Sequence, residues 1–275
     1  MARSVLITGC STGIGYTCAV ELHKLGYQVI ATCRSNEDLA QFDSLGISAI
    51  QLDLNDSQSI TYAVEQTLAL CHGKIDVLFN NGAYGQAGAL EDLPTQALRE
   101  QFETNLFGWH ELVKQVLPIM RAQGHGRIIQ NSSVLGFAAM KYRGAYNASK
   151  FALEGWTDTL RLELLDTKIK VVLIQPGPIE SNFRANALKK FMQWIDTERS
   201  VHKDNYVQQI TRLEKVTSGN QFTLPSSAIM PPLLDAIESK RPKLRYRVTT
   251  PTKVFAVLKR ILPHRLLDKI LVKAA

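Results

Sequence analysis

Tyr146 and Lys150 stand four residues apart in Tyr146-Asn147-Ala148-Ser149-Lys150. Apolar residues recur at helical spacing over 146–165, so the two side chains share one face of a helix. A phenol is a weak base near neutrality, because its ordinary pKa is about 10. A cation beside it favours the phenolate, so Lys150 is expected to lower Tyr146. Such a pair can give a proton to an oxygen or take one away. Ser133 follows the apolar run 127–130, and its hydroxyl can hydrogen-bond an oxygen that is gaining negative charge. Carbonyl reduction and alcohol oxidation both call for these two services. Taken singly, a Tyr-x-x-x-Lys pair is usually solvated and serines after a strand are usually turn residues. The reading rests on the set.

A second constellation suits a phosphate. The first apolar run closes in Thr8-Gly9-Cys10-Ser11-Thr12-Gly13-Ile14-Gly15, and a helix begins there. Gly9, Gly13 and Gly15 permit a tight turn and a close backbone approach. Ser11, Thr12 and Ile14 sit where free helix N–H groups meet an anion. A glycine pattern alone is weak, but this one follows a strand and opens a helix, the context the motif requires. The second run ends at Thr32-Cys33-Arg34, where folds that bind NAD usually carry an acid facing the ribose. A guanidinium there suits a 2′-phosphate, so NADP(H) is expected in preference to NAD(H).

The elements that position these residues alternate along the chain. Short runs at 4–7, 28–32, 49–52, 76–79, 127–130 and 170–174 are rich in Val, Ile and Leu, as strands buried on both faces are. Helical periodicity fills the intervals, for example 14–25, 59–71 and 98–123. This predicts an α/β fold, a doubly wound parallel sheet of the Rossmann type. About seven strands are expected, with helices on both faces. The alternation breaks over 179–223, a polar and aromatic stretch beyond the end of a strand, where ligands bind in such sheets. It reads as a substrate lid, with Phe183, Phe191, Met192, Trp194, Tyr206 and Phe222. Leu135, Phe137 and Met140 are candidates for the pocket floor. A helix at 226–239 and a strand at 244–248 resume the pattern. The stretch 251–275 is a basic amphipathic extension that Pro263 should break into two helices. It suits an anionic membrane surface, or packing on the body or a sister subunit, with the second slightly favoured.

Composition excludes several classes. The 275 residues are 45% hydrophobic and 21% charged, enough for a sizeable core, and 1–275 reads as a single unit. Cys10, Cys18, Cys33 and Cys71 form no C-x-x-C pair and have no His cluster, so neither zinc nor a disulfide framework is expected. No stretch has the length of a membrane span and no signal region opens the chain, which fits the cytoplasm. The net charge of +7 is spread out, with no reader motif for nucleic acid.

The motifs together resemble the short-chain dehydrogenase/reductase family. Thr8-Gly9-x-x-x-Gly13-Ile14-Gly15 is similar to its cofactor turn, and Tyr146-x-x-x-Lys150 to its catalytic pair. Asn80-Asn81-Gly82-Ala83 is similar to its Asn-Asn-Ala-Gly segment, with the last two residues inverted. Asn105 matches its helix asparagine, and Ser133 stands thirteen residues before Tyr146, as its catalytic serine does. Pro176-Gly177-Pro178-Ile179-Glu180-Ser181 matches its Pro-Gly-x-x-x-Thr segment, with Ser for Thr. The match spans roughly 5–181 in the right order. Arg241-Pro242-Lys243-Leu244-Arg245-Tyr246 and Leu258-Lys259-Arg260-Ile261-Leu262-Pro263 resemble bacterial NADP-dependent aldehyde reductases related to retinol and 17β-hydroxysteroid dehydrogenases.

The resemblance implies catalytic roles for Asn105, Ser133, Tyr146 and Lys150. Lys150 would also reach the nicotinamide ribose, and the Asn105 carbonyl would hold a relay water. Asp53 and Leu54 would meet the adenine, although Asp53 could equally cap a helix. Asn81 and Gly82 would line the adenosine ribose. Ser181 and the backbone of Ile179 would hold the nicotinamide carboxamide, with Pro176 and Gly177 also at the cofactor. A lipophilic aldehyde, ketone, retinoid or steroid is the expected substrate, and a homodimer or homotetramer the expected assembly through 98–123 and 146–165. A non-catalytic dinucleotide sensor or scaffold is the second reading; the intact set of four residues argues against it.

Overall fold

Val5, Leu6 and Ile7 alternate across the first strand, as side chains on a pleated strand must. Val5 and Ile7 enter one apolar cluster and Leu6 the other. The computed structural model, which describes residues 2–215 and 220–273, repeats this arrangement across the sheet. Strands β1 (Ser4–Ile7), β2 (Gln28–Cys33), β3 (Ser48–Gln51) and β4 (Val77–Asn80) are followed by β5 (Gly126–Asn131), β6 (Ile169–Gln175) and β7 (Arg245–Arg247). All pair in parallel, in the order β3-β2-β1-β4-β5-β6-β7. The order reverses between β1 and β4, and a crevice opens there at the strands' C-terminal ends.

Helices cover both faces. On one face α1 (Gly13–Lys24) and α8 (Met230–Glu238) bury Cys18, Leu22, Leu233 and Ile237 against Val5, Ile7 and Phe79. On the other, α2 (Ser57–Leu70), α4 (Gly108–Gln123) and α5 (Gly144–Glu163) bury Ile60, Trp109, Val116 and Leu153 against Leu6, Leu78 and Ile128. Each large apolar side chain buried this way contributes about 1.5–3 kcal/mol. The four cysteines are buried and free, and burial pushes every thiol up.

The helix expected over 98–123 is present but not regular. It is α3 (Thr95–Phe102), a five-residue π turn over Glu103–Phe107, and then α4. Asn105 in that turn donates to the Tyr84 carbonyl (2.9 Å) and to Ser149 Oγ (3.2 Å), and accepts from the Tyr84 N–H (3.2 Å). Just after it, Gly108 lies so close to β3's exit loop that a Cβ would come within 2.0 Å of the Leu54 carbonyl oxygen. Past β6, helices α6 (Phe183–Trp194) and α7 (Lys203–Glu214) occupy most of the stretch 179–223, of which 216–219 lie outside the described residues. At the end of the chain, α9 (Thr250–Ile261) and α10 (His264–Lys273) part at Pro263, as its missing N–H requires.

Candidate active site

The glycine turn is built of backbone pressed on backbone. Gly9 and Gly13 have φ of +70° and +60°. A Cβ on Gly9 would meet the Gly82 Cα at 2.5 Å, and one on Gly13 would meet Ser181 Cβ at 2.9 Å. Thr8 Oγ1 accepts from the N–H groups of Asn81 and Gly82, each at 2.8 Å. Asn81 Nδ2 returns bonds to the Thr8 and Gly9 carbonyls at 3.0 and 3.1 Å. Gly82, the inverted position, is the residue that touches Gly9, so the first place after the paired asparagines must be small. A pyrophosphate fits this bare cradle at the start of α1, where helix N–H groups are free.

Gly9, Ser11, Thr12, Gly13, Ile14, Asn81, Gly82, Pro176, Gly177, Ile179 and Ser181 line one cleft of about 830 Å³, together with Ser133, Tyr146 and Lys150. Five expected residues lie outside its wall. Gly15 packs beneath the turn, where a Cβ would come within 2.1 Å of the Gly9 carbonyl oxygen. Asn105 is fully buried in the π turn. Arg34 is exposed just past β2. Asp53 Oδ1 accepts from the Asn55 N–H at 2.9 Å, and the cap of α2 is Asp56 instead. Leu54 packs beside Gly82 and Gly108.

At the other constellation, Ser133 ends β5's exit and caps a short turn, its Oγ accepting from the Leu135 N–H at 3.1 Å. Tyr146 and Lys150 share a face of α5 and are both buried. Lys150 Nζ donates to the Asn131 carbonyl at 2.7 Å and lies 4.3 Å above the Trp109 ring, but 5.8 Å from the centre of the Tyr146 ring. This corrects the expected electrostatics. Burial pushes Tyr146 up to about 12 against the pull of Ser133 and Arg143, so the phenol is neutral at neutral pH. Burial also pushes Lys150 down to about 7, with Glu154 acting the other way. Sequence spacing puts the two groups on one face; it does not say how much water each loses.

Sequence reasoning missed several neighbours. Asn131 supplies the carbonyl for Lys150 and ties the two constellations together, its Nδ2 donating to Asn81 Oδ1 at 2.8 Å. Its place at the end of a strand beside Ser133 was the available signal. Glu154, one turn after Lys150, accepts from Ser132 Oγ (2.5 Å), Gln175 Nε2 (2.9 Å) and Arg245 Nε (3.1 Å). The four-residue spacing from Lys150 pointed to it. Phe183 of α6 stacks edge-on against Tyr146, ring centres 5.2 Å apart. Leu135, Met140 and Phe222 line the cleft, whereas Phe191 and Tyr206 are core. Phe255, Leu267 and Leu271 of α9 and α10 pack with Val134, Leu135 and Tyr146, so the chain's last helices form a wall behind the phenol.

The comparisons with known proteins agree. The family model described as short chain dehydrogenase matches residues 3–191. The chain is 40% identical over 271 residues to the Escherichia coli K12 protein called uncharacterized oxidoreductase YbbO, covering 98% of this chain and 94% of that one. It is 40% identical over 196 residues to human retinol dehydrogenase 8, covering 68% of this chain and 62% of that one. Among solved structures, an actinorhodin polyketide ketoreductase variant with NADPH superposes with a TM-score of 0.73 at 25% identity, covering 90% of this chain and 95% of that one. The chain belongs to the short-chain dehydrogenase/reductase family, oxidoreductases that act on CH–OH and C=O groups with a nicotinamide dinucleotide.

Proposed function

We propose that this protein is an NADP(H)-dependent reductase of lipophilic aldehydes or ketones, a class that includes retinoids and steroids. The observation that carries the reading is the meeting of Ser133, Tyr146 and Lys150 in the cleft that the glycine turn also lines. The bound nicotinamide supplies the hydride. The Ser133 and Tyr146 hydroxyls hydrogen-bond the substrate oxygen, and Tyr146 hands its proton to that oxygen as charge develops there. A phenol held near 12 carries that proton at neutral pH, which suits reduction. Lys150, fixed on the Asn131 carbonyl, reaches the nicotinamide ribose. Asn105, by its backbone carbonyl, holds the relay water.

Arg34 supports NADP(H) over NAD(H), since a guanidinium at the end of β2 suits a 2′-phosphate. Asp53 and Leu54 serve the adenine. Apolar Leu135, Met140, Phe183, Phe222 and Phe255 support a lipophilic substrate, with α6 and α7 as its cover. The basic residues and exposed Val257, Ile261 and Leu266 of the final helices suit contact with an anionic membrane surface. No helix among the described residues is long and apolar enough to cross a membrane. Four buried free thiols suit the cytoplasm.

The test is Tyr146→Phe. Turnover of NADPH with a lipophilic aldehyde should fall by about 10²-fold or more, while nicotinamide fluorescence reports unchanged cofactor binding. Full activity in that variant refutes the mechanism.

A further inference from the structure

Three guanidiniums line the cleft around Tyr146, and each comes from a different element. Arg143 immediately precedes α5, Arg184 is in the first turn of α6, and Arg212 is in the last turns of α7. Elsewhere Arg245 holds Glu154 and Asp158, and Arg161 holds Asp158, while half-buried Arg127 donates to the Gly126 and Ser239 carbonyls. Among the described residues, no carboxylate pairs with any of the three in the cleft. The polar contacts they do make are poor substitutes. Arg143 Nη1 lies 3.1 Å from Met140 Sδ, and Arg212 Nε donates to Gln209 Oε1 at 3.2 Å. Among the described residues, Arg143 Nε and Arg184 Nη1 are buried with no partner. Glu180, the carboxylate in the cleft wall, is exposed and bonds none of them.

Like charges gathered partly out of water cost stability unless something balances them. The cost is visible at Arg143, which burial and then the neighbouring Arg212 and Arg184 push down to about 9. Burial lowers Arg184 and Arg212 as well. Guanidinium groups match oxyanions in shape, two N–H groups to two oxygens. On the reading above, the phosphates of the cofactor take the glycine turn and the end of β2 instead.

We propose that Arg143, Arg184 and Arg212 bind an anionic oxygen group carried by the substrate, a carboxylate, sulfonate or phosphate. This deepens the carbonyl-reductase reading and rests on it. The substrate is then an amphiphile, with an apolar chain along Phe183 and Phe255 and an anion that fixes its carbonyl against Tyr146.

The test uses matched aldehydes of one chain length, ending in a carboxylate, a sulfonate or a neutral methyl ester. Wild type should favour the anionic members by about tenfold or more in kcat/KM, mainly through KM. In the double variant Arg184→Gln with Arg212→Gln, the acid-to-ester ratio should fall towards one, with the NADPH Kd unchanged. The sulfonate and carboxylate arms show which oxyanion the cluster takes. An equal rate on acid and ester in wild type overturns the proposal. So does a ratio that survives the double substitution, or a loss of NADPH affinity that assigns the arginines to the cofactor. If wild type turns over none of the aldehydes, the reductase reading fails separately. The anion site is then judged by thermal shift with dodecanoate against dodecanol. Dodecanoate should raise Tm in wild type and not in the variant, and equal shifts in both proteins sink it.

Discussion

Lys150 rests its ammonium on the Asn131 carbonyl and the Trp109 ring, and burial holds it near 7. The unfolded chain keeps that proton to about pH 10.4. Below pH 7 the group is charged in both states and the whole burial penalty is present. Between the two values the unfolded state binds more protons, so this group makes stability rise with pH. Lys150→Met should flatten the rise, and urea unfolding of both proteins at about pH 6 and about pH 9 reads it. A wild-type protein as flat as the variant contradicts the assignment. Gly9 makes a different demand. Alanine there meets a left-handed φ and the Gly82 backbone, so Gly9→Ala should cost at least about 2 kcal/mol and weaken dinucleotide binding. Calorimetric Tm and fluorescence titration check both effects; an unchanged Tm would mean that the turn relaxes freely.

At the scale of elements, α6 and α7 are tied to the stretch after β4 by a polar latch. Tyr206 donates to Asp92 and accepts from the Ala89 N–H at 3.0 Å; Ser200 Oγ also donates to Asp92, at 2.5 Å. His202 Nε2 lies 2.5 Å from Glu91 Oε1. Burial raises Asp92, but the bonds from Ser200 and Tyr206 and the nearby His202 outweigh it and hold the carboxyl below its usual range. Tyr206→Phe keeps the ring packing on Phe191 yet strands the buried Ala89 N–H, a cost of about 1–3 kcal/mol. Hydrogen exchange should quicken in α6 and α7 and stay unchanged in α2 and β1. A uniform change over the chain would show that the latch is not local. The π turn works in the same way: Asn105 is spent on Tyr84 and Ser149, which joins the π turn to α5, the helix of Tyr146 and Lys150.

For the whole molecule, α5 and the π turn before α4 leave apolar surface uncovered. Phe107 is 50% exposed, Phe151 40% and Leu162 59%, and the last two lie on one face of α5. We propose that this face joins two copies. Light scattering should then give a multiple of the 30.7 kDa chain mass, and Phe151→Glu with Leu162→Glu should return it to that value. A monomeric wild type ends the idea. Exposed apolar residues on facing helices are the usual substance of such contacts.

Much of this protein is local and therefore readable along the chain. Strand and helix periods, the glycine turn, the Tyr-x-x-x-Lys spacing and the break at Pro263 depend on residues a few places apart, where backbone geometry decides. The π turn at Asn105 was not readable, because its partners Tyr84 and Ser149 and the close approach of Leu54 are distant along the chain. The electrostatics of Tyr146 and Lys150 were not readable either. Desolvation depends on what packs around a group, here Trp109, Phe183 and the final helices. Arg143, Arg184 and Arg212 look like ordinary surface arginines in the sequence. Only the folded chain brings them into one cleft, because mutual repulsion and lost water are set by distance in space and not by separation along the chain.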